Sequence, residues 1–165
     1  MTNQNTLTNY LPTDYQTFIA TSRYARWLDD EGRRETWGET VGRFIDNIVR
    51  PSDLDGKTLN ELEDAILNLE VMPSMRALMT AGPAAERDNT CVYNCSYLPV
   101  DHPRAFDEAM FILLCGTGVG FSVERQSISK LPEVPSDIKD TDDLIVVQDS
   151  KEGWAKALRK VVSGL

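Results

Sequence analysis

Three cysteines, one histidine and a glycine-rich run are the residues of this sequence best equipped for chemistry. Cys91 and Cys95 form a CxxxC pair within Cys91-Val92-Tyr93-Asn94-Cys95-Ser96-Tyr97-Leu98, a segment rich in strand formers. On a strand, residues four apart share a face but lie ~13 Å apart at ~3.3 Å per residue. A disulfide needs Cα atoms within ~7 Å, so the two cannot pair while the strand holds, and any redox partner comes from elsewhere. Metal ligation is disfavoured, because the single histidine, His102, stands apart from the pair and no second cysteine pair exists. Each of the two is therefore either a buried small hydrophobe or a chemical tool. Cys115, at the end of an apolar helix, reads as a core residue.

Gly116-Thr117-Gly118-Val119-Gly120 invites comparison with a phosphate cradle. A dinucleotide fingerprint runs strand, then G-x-G-x-x-G, then helix; here the order is helix, G-x-G-x-G, strand, and the fingerprint is rejected. Two readings remain: a helix C-cap followed by a tight turn, or a turn where a ligand approaches the backbone closely. Ser74, in Met72-Pro73-Ser74-Met75-Arg76, reads most simply as a first-turn hydroxyl.

The elements that must position these residues follow from periodicity. A helix is expected from Asp14 to Leu28, capped by Thr13 or Asp14. A capping box, Thr36-Trp37-Gly38-Glu39, opens a second helix with Trp37, Val41, Phe44, Ile45 and Ile48 on its apolar side, ended by Pro51. A second box, Thr58-Leu59-Asn60-Glu61, opens a third. A short helix after Ser74 stops near Gly82-Pro83, and a polar loop, Ala84 to Thr90, leads to the cysteine strand. Pro103 starts a helix running to about Cys115, apolar nearly all round and so expected to be deeply buried. Phe121 to Glu124 reads as a strand, Lys130 to Asp143 as a Pro- and acid-rich loop whose Glu133 to Asp143 part is a solvated face, and Leu144 to Val147 as a short strand. Ser150 caps a last helix bearing Trp154, Leu158 and Val161. Trp37 and Trp154 are expected to anchor the core. Strand–helix–strand–helix behind a helical region indicates the opening of an α/β domain, with too few strands for a covered sheet.

Composition narrows the function classes. With 41% hydrophobic and 26% charged residues the chain is globular in type. Its net charge of −9 is spread evenly: residues 1–82 hold 8 basic and 13 acidic groups, residues 83–165 hold 9 and 13. No basic stripe exists, which argues against nucleic-acid binding. No apolar run approaches the ~20 residues of a membrane span. The polar N-terminus, MTNQNTLTNYLPTD, lacks the blocks of a signal peptide. Three cysteines suit a reducing compartment, and a cytoplasmic protein is expected.

The order of several short segments resembles the N-terminal part of a ribonucleotide reductase large subunit, most closely the adenosylcobalamin-dependent (class II) triphosphate reductases. The segments are Ser22-Arg23-Tyr24-Ala25-Arg26-Trp27-Leu28, Arg33-Arg34-Glu35-Thr36-Trp37, Met72-Pro73-Ser74-Met75-Arg76, Tyr93-Asn94-Cys95-Ser96-Tyr97-Leu98-Pro99, Gly116-Thr117-Gly118-Val119-Gly120-Phe121 and Asp149-Ser150-Lys151-Glu152-Gly153-Trp154. The resemblance implies an α/β fold: a helical region, residues 1–71, followed by the first strands and helices of a ten-stranded barrel, residues 72–165. It implies reduction of ribonucleotides to deoxyribonucleotides by thiyl-radical chemistry with adenosylcobalamin as cofactor and a thioredoxin-like reductant. Cys95 is similar in placement to a redox-active cysteine of that family, and Ser74, Asn94 and Gly118 to positions that contact substrate. Cys91 and Cys115 match no family role. The thiyl-radical cysteine and the redox partner of Cys95 have no counterpart in this sequence, so a partner chain carrying the rest of the barrel is expected. A class I large-subunit fragment, or a non-catalytic module binding the reductase or its nucleotide effectors, are the alternatives.

Overall fold

The computed structural model describes residues 11–138 and 141–164. The polar stretch 1–10 lies outside the described residues. The chain forms two compact units, Met1–Val92 and Tyr93–Leu165.

The first unit is helical. Thr13 caps α1 (Asp14–Ile19) by accepting from the Gln16 amide. A π-helical turn continues it over Ala20–Tyr24. The expected helix does not reach Leu28, for Trp27 and Leu28 form β1, which pairs antiparallel with β2 (Arg33–Arg34). Here a tight turn and strand pairing override helical periodicity. The first capping box is present: Thr36 accepts from the Glu39 amide and Glu39 from the Thr36 amide, opening α2 (Trp37–Phe44). Two further irregular turns, Ile45–Val49 and Arg50–Ser52, carry the chain to Asp53, whose left-handed backbone ends the helical run just beyond Pro51. The second expected box is absent. Asp55 caps α3 (Gly56–Leu67) by accepting from the amides of Lys57 and Thr58, and the Thr58 hydroxyl itself donates to Asp55. A carboxylate three residues upstream took the cap that the threonine was expected to hold. Next come α4 (Met75–Thr80), α5 (Pro83–Arg87) and a 3₁₀ turn, Asn89–Val92, where a loop and the start of a strand were expected. Trp37, Val41, Ile45, Leu59, Ile66 and Leu78 fill the core, and the Trp37 indole donates to the Leu67 carbonyl. Trp37 is thus the anchor its spacing predicts.

Beneath this core runs a buried ion pair. Arg43 Nε lies 2.8 Å from Glu35 Oε1, with side-chain exposures of 12% and 6%. Arg43 also donates to the carbonyls of Tyr24, Leu78 and Ala81. Glu35 accepts further from the Arg26 amide and the Thr40 hydroxyl. Burial pushes the Glu35 carboxyl up, yet the hydrogen bonds from Arg43 and Arg26 outweigh it and hold it below the usual carboxylate range.

The second unit contains β3 (Cys95–Pro99), α6 (Arg104–Leu114), β4 (Gly118–Ser122), α7 (Arg125–Ile128) and α8 (Lys151–Ser163). β3 and β4 are parallel, with Cys95 opposite Gly118 and Pro99 opposite Ser122. The strand begins at Cys95 and not Cys91, which sits in the 3₁₀ turn, so the distance argued from a shared strand does not apply to that pair. The second strand starts at Gly118, three residues before the expected Phe121, and α7 follows it before the expected loop at Lys130. Leu144 to Val147 is not a strand: no described strand pairs with it, and Leu144 and Val146 stand exposed. α6 is not deeply buried. Only Ala105 and Asp107 are, while Phe106, Leu113 and Leu114 are exposed, because within this unit the helix has the sheet and α8 for neighbours. Ser150 caps α8 by accepting from the Gly153 amide. Trp154 is 48% exposed and is not the core anchor expected; the small residues Gly153 and Ala155 are the buried ones of this helix.

Two outcomes are expected. Arg43→Ala leaves the Glu35 carboxylate buried without its partner and should cost about 3–5 kcal/mol, read as a lowered denaturation midpoint. The Arg33 guanidinium hydrogen-bonds Glu39 and, against partial burial, holds its carboxyl down at about 2. This contribution is fully present above the unfolded glutamate value and lost as pH falls from about 4.3 to about 2, so Glu39→Gln should flatten the decline of melting temperature across that window.

Candidate functional site

The candidate site is the exposed face of the β3–β4 pair. A parallel pair needs a crossover, and α6 supplies it, returning the chain through Cys115 and Gly116. Gly116 has φ +85°, a left-handed conformation that glycine adopts without the penalty of a Cβ. Thr117, 1% exposed, then donates from its hydroxyl to the Tyr93 carbonyl at 2.9 Å. The Gly118 amide donates to the Asn94 carbonyl, also at 2.9 Å. Ser96 adds a bond from its hydroxyl to the Gly118 carbonyl at 3.1 Å. These bonds clamp the first residues of both strands in register.

The clamp brings together three of the four expected site residues. Cys95 opens β3 with Gly118 directly opposite, and Asn94 immediately precedes the strand, all three exposed. Cys95 is a free thiol, so the reading of it as a buried hydrophobe is set aside. A Cβ on Gly118 would stand 3.5 Å from the Asn94 carbonyl oxygen and 3.9 Å from Cys95 Sγ, ordinary contact distances. Glycine is therefore not demanded here by backbone strain or lack of room. What its missing side chain does is leave the space beside the Cys95 sulfur open. Gly120 repeats the arrangement opposite Tyr97. The glycine run is thus half turn and half strand, and its strand half forms the floor next to the thiol.

Ser74 belongs to the first unit. It stands at the N-cap of α4, where its carbonyl accepts from Leu78, but its exposed hydroxyl makes no capping bond to the helix. Cys91 is half-buried, consistent with a structural residue. Cys115 is also half-buried and not the core residue expected; it caps the end of α6 beside Lys151.

Sequence reasoning missed three residues. Thr117, a threonine between two glycines, is the one member of the run able to tie the turn down, and its hydroxyl does so on the Tyr93 carbonyl. Asp107 is buried in an apolar helix and accepts from Arg159 at 2.6 and 2.9 Å, joining α6 to α8. Its partner lies 52 residues away, beyond any local pattern. Gly153 packs so closely on the Gln148 carbonyl that any Cβ would overlap it, which explains a glycine in the first turn of a helix. Among the described residues, no group of three or more His, Cys, Asp or Glu is placed to hold a metal ion, and no helix is long and apolar enough to cross a membrane.

This parallel α/β unit with a free thiol beside a glycine is the kind of scaffold that holds a reactive cysteine rigidly. Known proteins of one class resemble it. The chain is 28% identical over 170 residues to the adenosylcobalamin-dependent ribonucleoside-triphosphate reductase of Lactobacillus delbrueckii subsp. bulgaricus, covering 82% of this chain and 22% of that one. It is 27% identical to the enzyme of the same name from Lactobacillus leichmannii, with 82% and 22% covered, and 27% identical to a putative one from Mycobacterium phage D29, with 82% and 24% covered. Its fold matches a crystal structure of a B12-dependent (class II) ribonucleotide reductase with a TM-score of 0.67 at 24% identity, over 85% of this chain and 28% of that one. No protein-family model matches. The chain is thus similar to adenosylcobalamin-dependent ribonucleoside-triphosphate reductases, in line with the resemblance of its motifs, and spans about a fifth of the length of the curated relatives it matches.

If Gly118 keeps the space beside Cys95 open, Gly118→Val should slow alkylation of Cys95 by iodoacetamide severalfold while changing the melting temperature little, since a β-branched residue suits a strand. An unchanged alkylation rate would return the glycine to a purely structural role.

Proposed function

We propose that this chain is the N-terminal part of a ribonucleotide reductase that makes deoxyribonucleotides by thiyl-radical chemistry, acting in the cytoplasm with a partner chain. The observation that carries this reading is the exposed, free Cys95 on a clamped strand opposite Gly118, in a chain similar to these reductases over most of its length. Cys95 is assigned as one of two cysteines that reduce the substrate. Each thiol gives up one electron and one proton, and the pair ends as a disulfide, later reopened by a thioredoxin-like reductant. A strand suits this task, because the sulfur must meet both substrate and partner cysteine at fixed positions.

Gly118, beside that sulfur, and Asn94, the residue before Cys95, are assigned to substrate contact, with Gly118 letting the ribonucleotide come close to backbone. Ser74 is assigned to substrate phosphates, a role its uncapped hydroxyl leaves open. On this reading the first part of the ten-stranded barrel begins at residue 72, behind the helical region 1–71. The thiyl-radical cysteine and the redox partner of Cys95 come from the other chain.

Adenosylcobalamin, when bound, supplies the radical. The cavity between α6 and α8, lined by Phe111, Ala155 and charged side chains, is about 420 Å³, too small to enclose a corrin with its nucleotide tail. The cofactor is therefore assigned mainly to residues outside this chain, and no step is given to it here.

Co-expression with a class II reductase segment carrying the remaining barrel should give a stable complex with cobalamin-dependent reduction of ribonucleotides. Cys95→Ser in that complex should abolish multiple-turnover reduction with the complex intact. A chain that ignores the segment in pull-down and sizing experiments would favour the non-catalytic module. Undiminished turnover by Cys95→Ser would remove the redox assignment alone.

A further inference from the structure

Away from the β3–β4 face, a second thiol sits beside an amine. Cys115 follows the last residue of α6, and Lys151 is the first residue of α8. Lys151 Nζ lies 3.1 Å from Cys115 Sγ. The same nitrogen sits 4.8 Å from the centre of the Phe111 ring, one turn back along α6, so the ring face helps hold the amine over the sulfur. Both residues are half-buried, open to a small oxidant. Neither the redox chemistry assigned to Cys95 nor the proposed substrate contacts use this pair.

We propose that Cys115 and Lys151 form an oxidation-dependent crosslinking site, closed by hydrogen peroxide as a sulfenamide. In the first step the thiol sulfur attacks one peroxide oxygen, the O–O bond breaks, and a sulfenic acid and one water result. The sulfur is oxidised by two electrons and the peroxide reduced by two. In the second step the neutral lysine amine attacks the sulfenic sulfur. An S–N bond forms, the S–O bond breaks, and the hydroxyl leaves with an amine proton as a second water. Thiol, amine and one peroxide thus give one sulfenamide and two waters.

Proximity selects this outcome over further oxidation. A sulfenic acid formed at Cys115 meets a nitrogen already in contact, before a second peroxide must diffuse in. The bond would join residues 36 apart and close a loop containing β4, removing conformational freedom from that stretch. It would also tie down the residue that immediately precedes the left-handed Gly116.

The test is intact-mass and tryptic mapping of the whole chain after peroxide treatment. The expected product loses about 2 Da, resists trypsin after Lys151, yields one linked peptide containing Cys115 and Lys151, and reverts with dithiothreitol. Lys151→Arg keeps a cation over Phe111 but presents a guanidinium that stays protonated and cannot condense. In that variant the link should vanish and Cys115 should advance to sulfinic acid, a gain of about 32 Da. Wild-type Cys115 that oxidises without linking to Lys151, that links instead to another cysteine, or that stays reduced would overturn the proposal.

Discussion

The parallel pairing of β3 with β4 is the constraint on which the candidate site depends. Parallel strands cannot be joined by a tight turn, so the chain must leave the end of β3, cross over as α6 and re-enter beside the start of β3. That return places Gly118 opposite Cys95, residues far apart in sequence. The re-entry has to be both abrupt and exact. Gly116 provides the abruptness with its positive φ, and the buried Thr117 hydroxyl provides exactness by bonding the Tyr93 carbonyl. A register slip of one residue would turn Cys95 to the opposite face of the pair.

A different kind of constraint organises the first unit. Its helices are short and end irregularly, so much of the backbone has carbonyls without helical partners. The Arg43 guanidinium collects three of them, from Tyr24, Leu78 and Ala81, while neutralising Glu35. Arginine suits this role better than lysine, because its planar fork offers five donors in fixed directions. The pair joins α2, α4 and the end of the first helical segment into one body around an apolar core. Such an arrangement contributes specificity of packing more than net stability, since two charges were taken out of water to make it.

Both units leave large apolar side chains exposed, among them Tyr15, Phe18 and Trp27 in the first. In the first, the large residues of α2 and α3 converge on one core. In the second, Tyr97, Phe121, Leu113 and Leu114 remain exposed, around a helix whose composition suits burial. The larger barrel proposed above would give those side chains a place and make the face of Cys95 one wall of its site.

Local rules read from sequence held for most of the local interactions, the α3 cap at Asp55 being an exception. The caps at Thr13, Thr36 and Ser150, the end of the second helical run near Pro51 and the crossover helix were all legible, because each depends on residues within a few positions of one another; the Trp37 anchor was legible from periodicity, although its partner Leu67 is distant in sequence. Cys95 and the glycine run could be singled out by residue type, and the resemblance attached them to a chemistry. Only the tertiary structure decided the rest. It moved the strand start from Cys91 to Cys95, made strand of Gly118–Ser122, denied Leu144–Val147 a partner and exposed Trp154, since each outcome depends on which segments lie side by side. Nor could spacing reveal the Asp107–Arg159 pair, the Lys151 amine on Cys115 or the role of Gly118. Those depend on contacts between residues tens of positions apart, whose geometry exists only once the chain has crossed over and closed on itself.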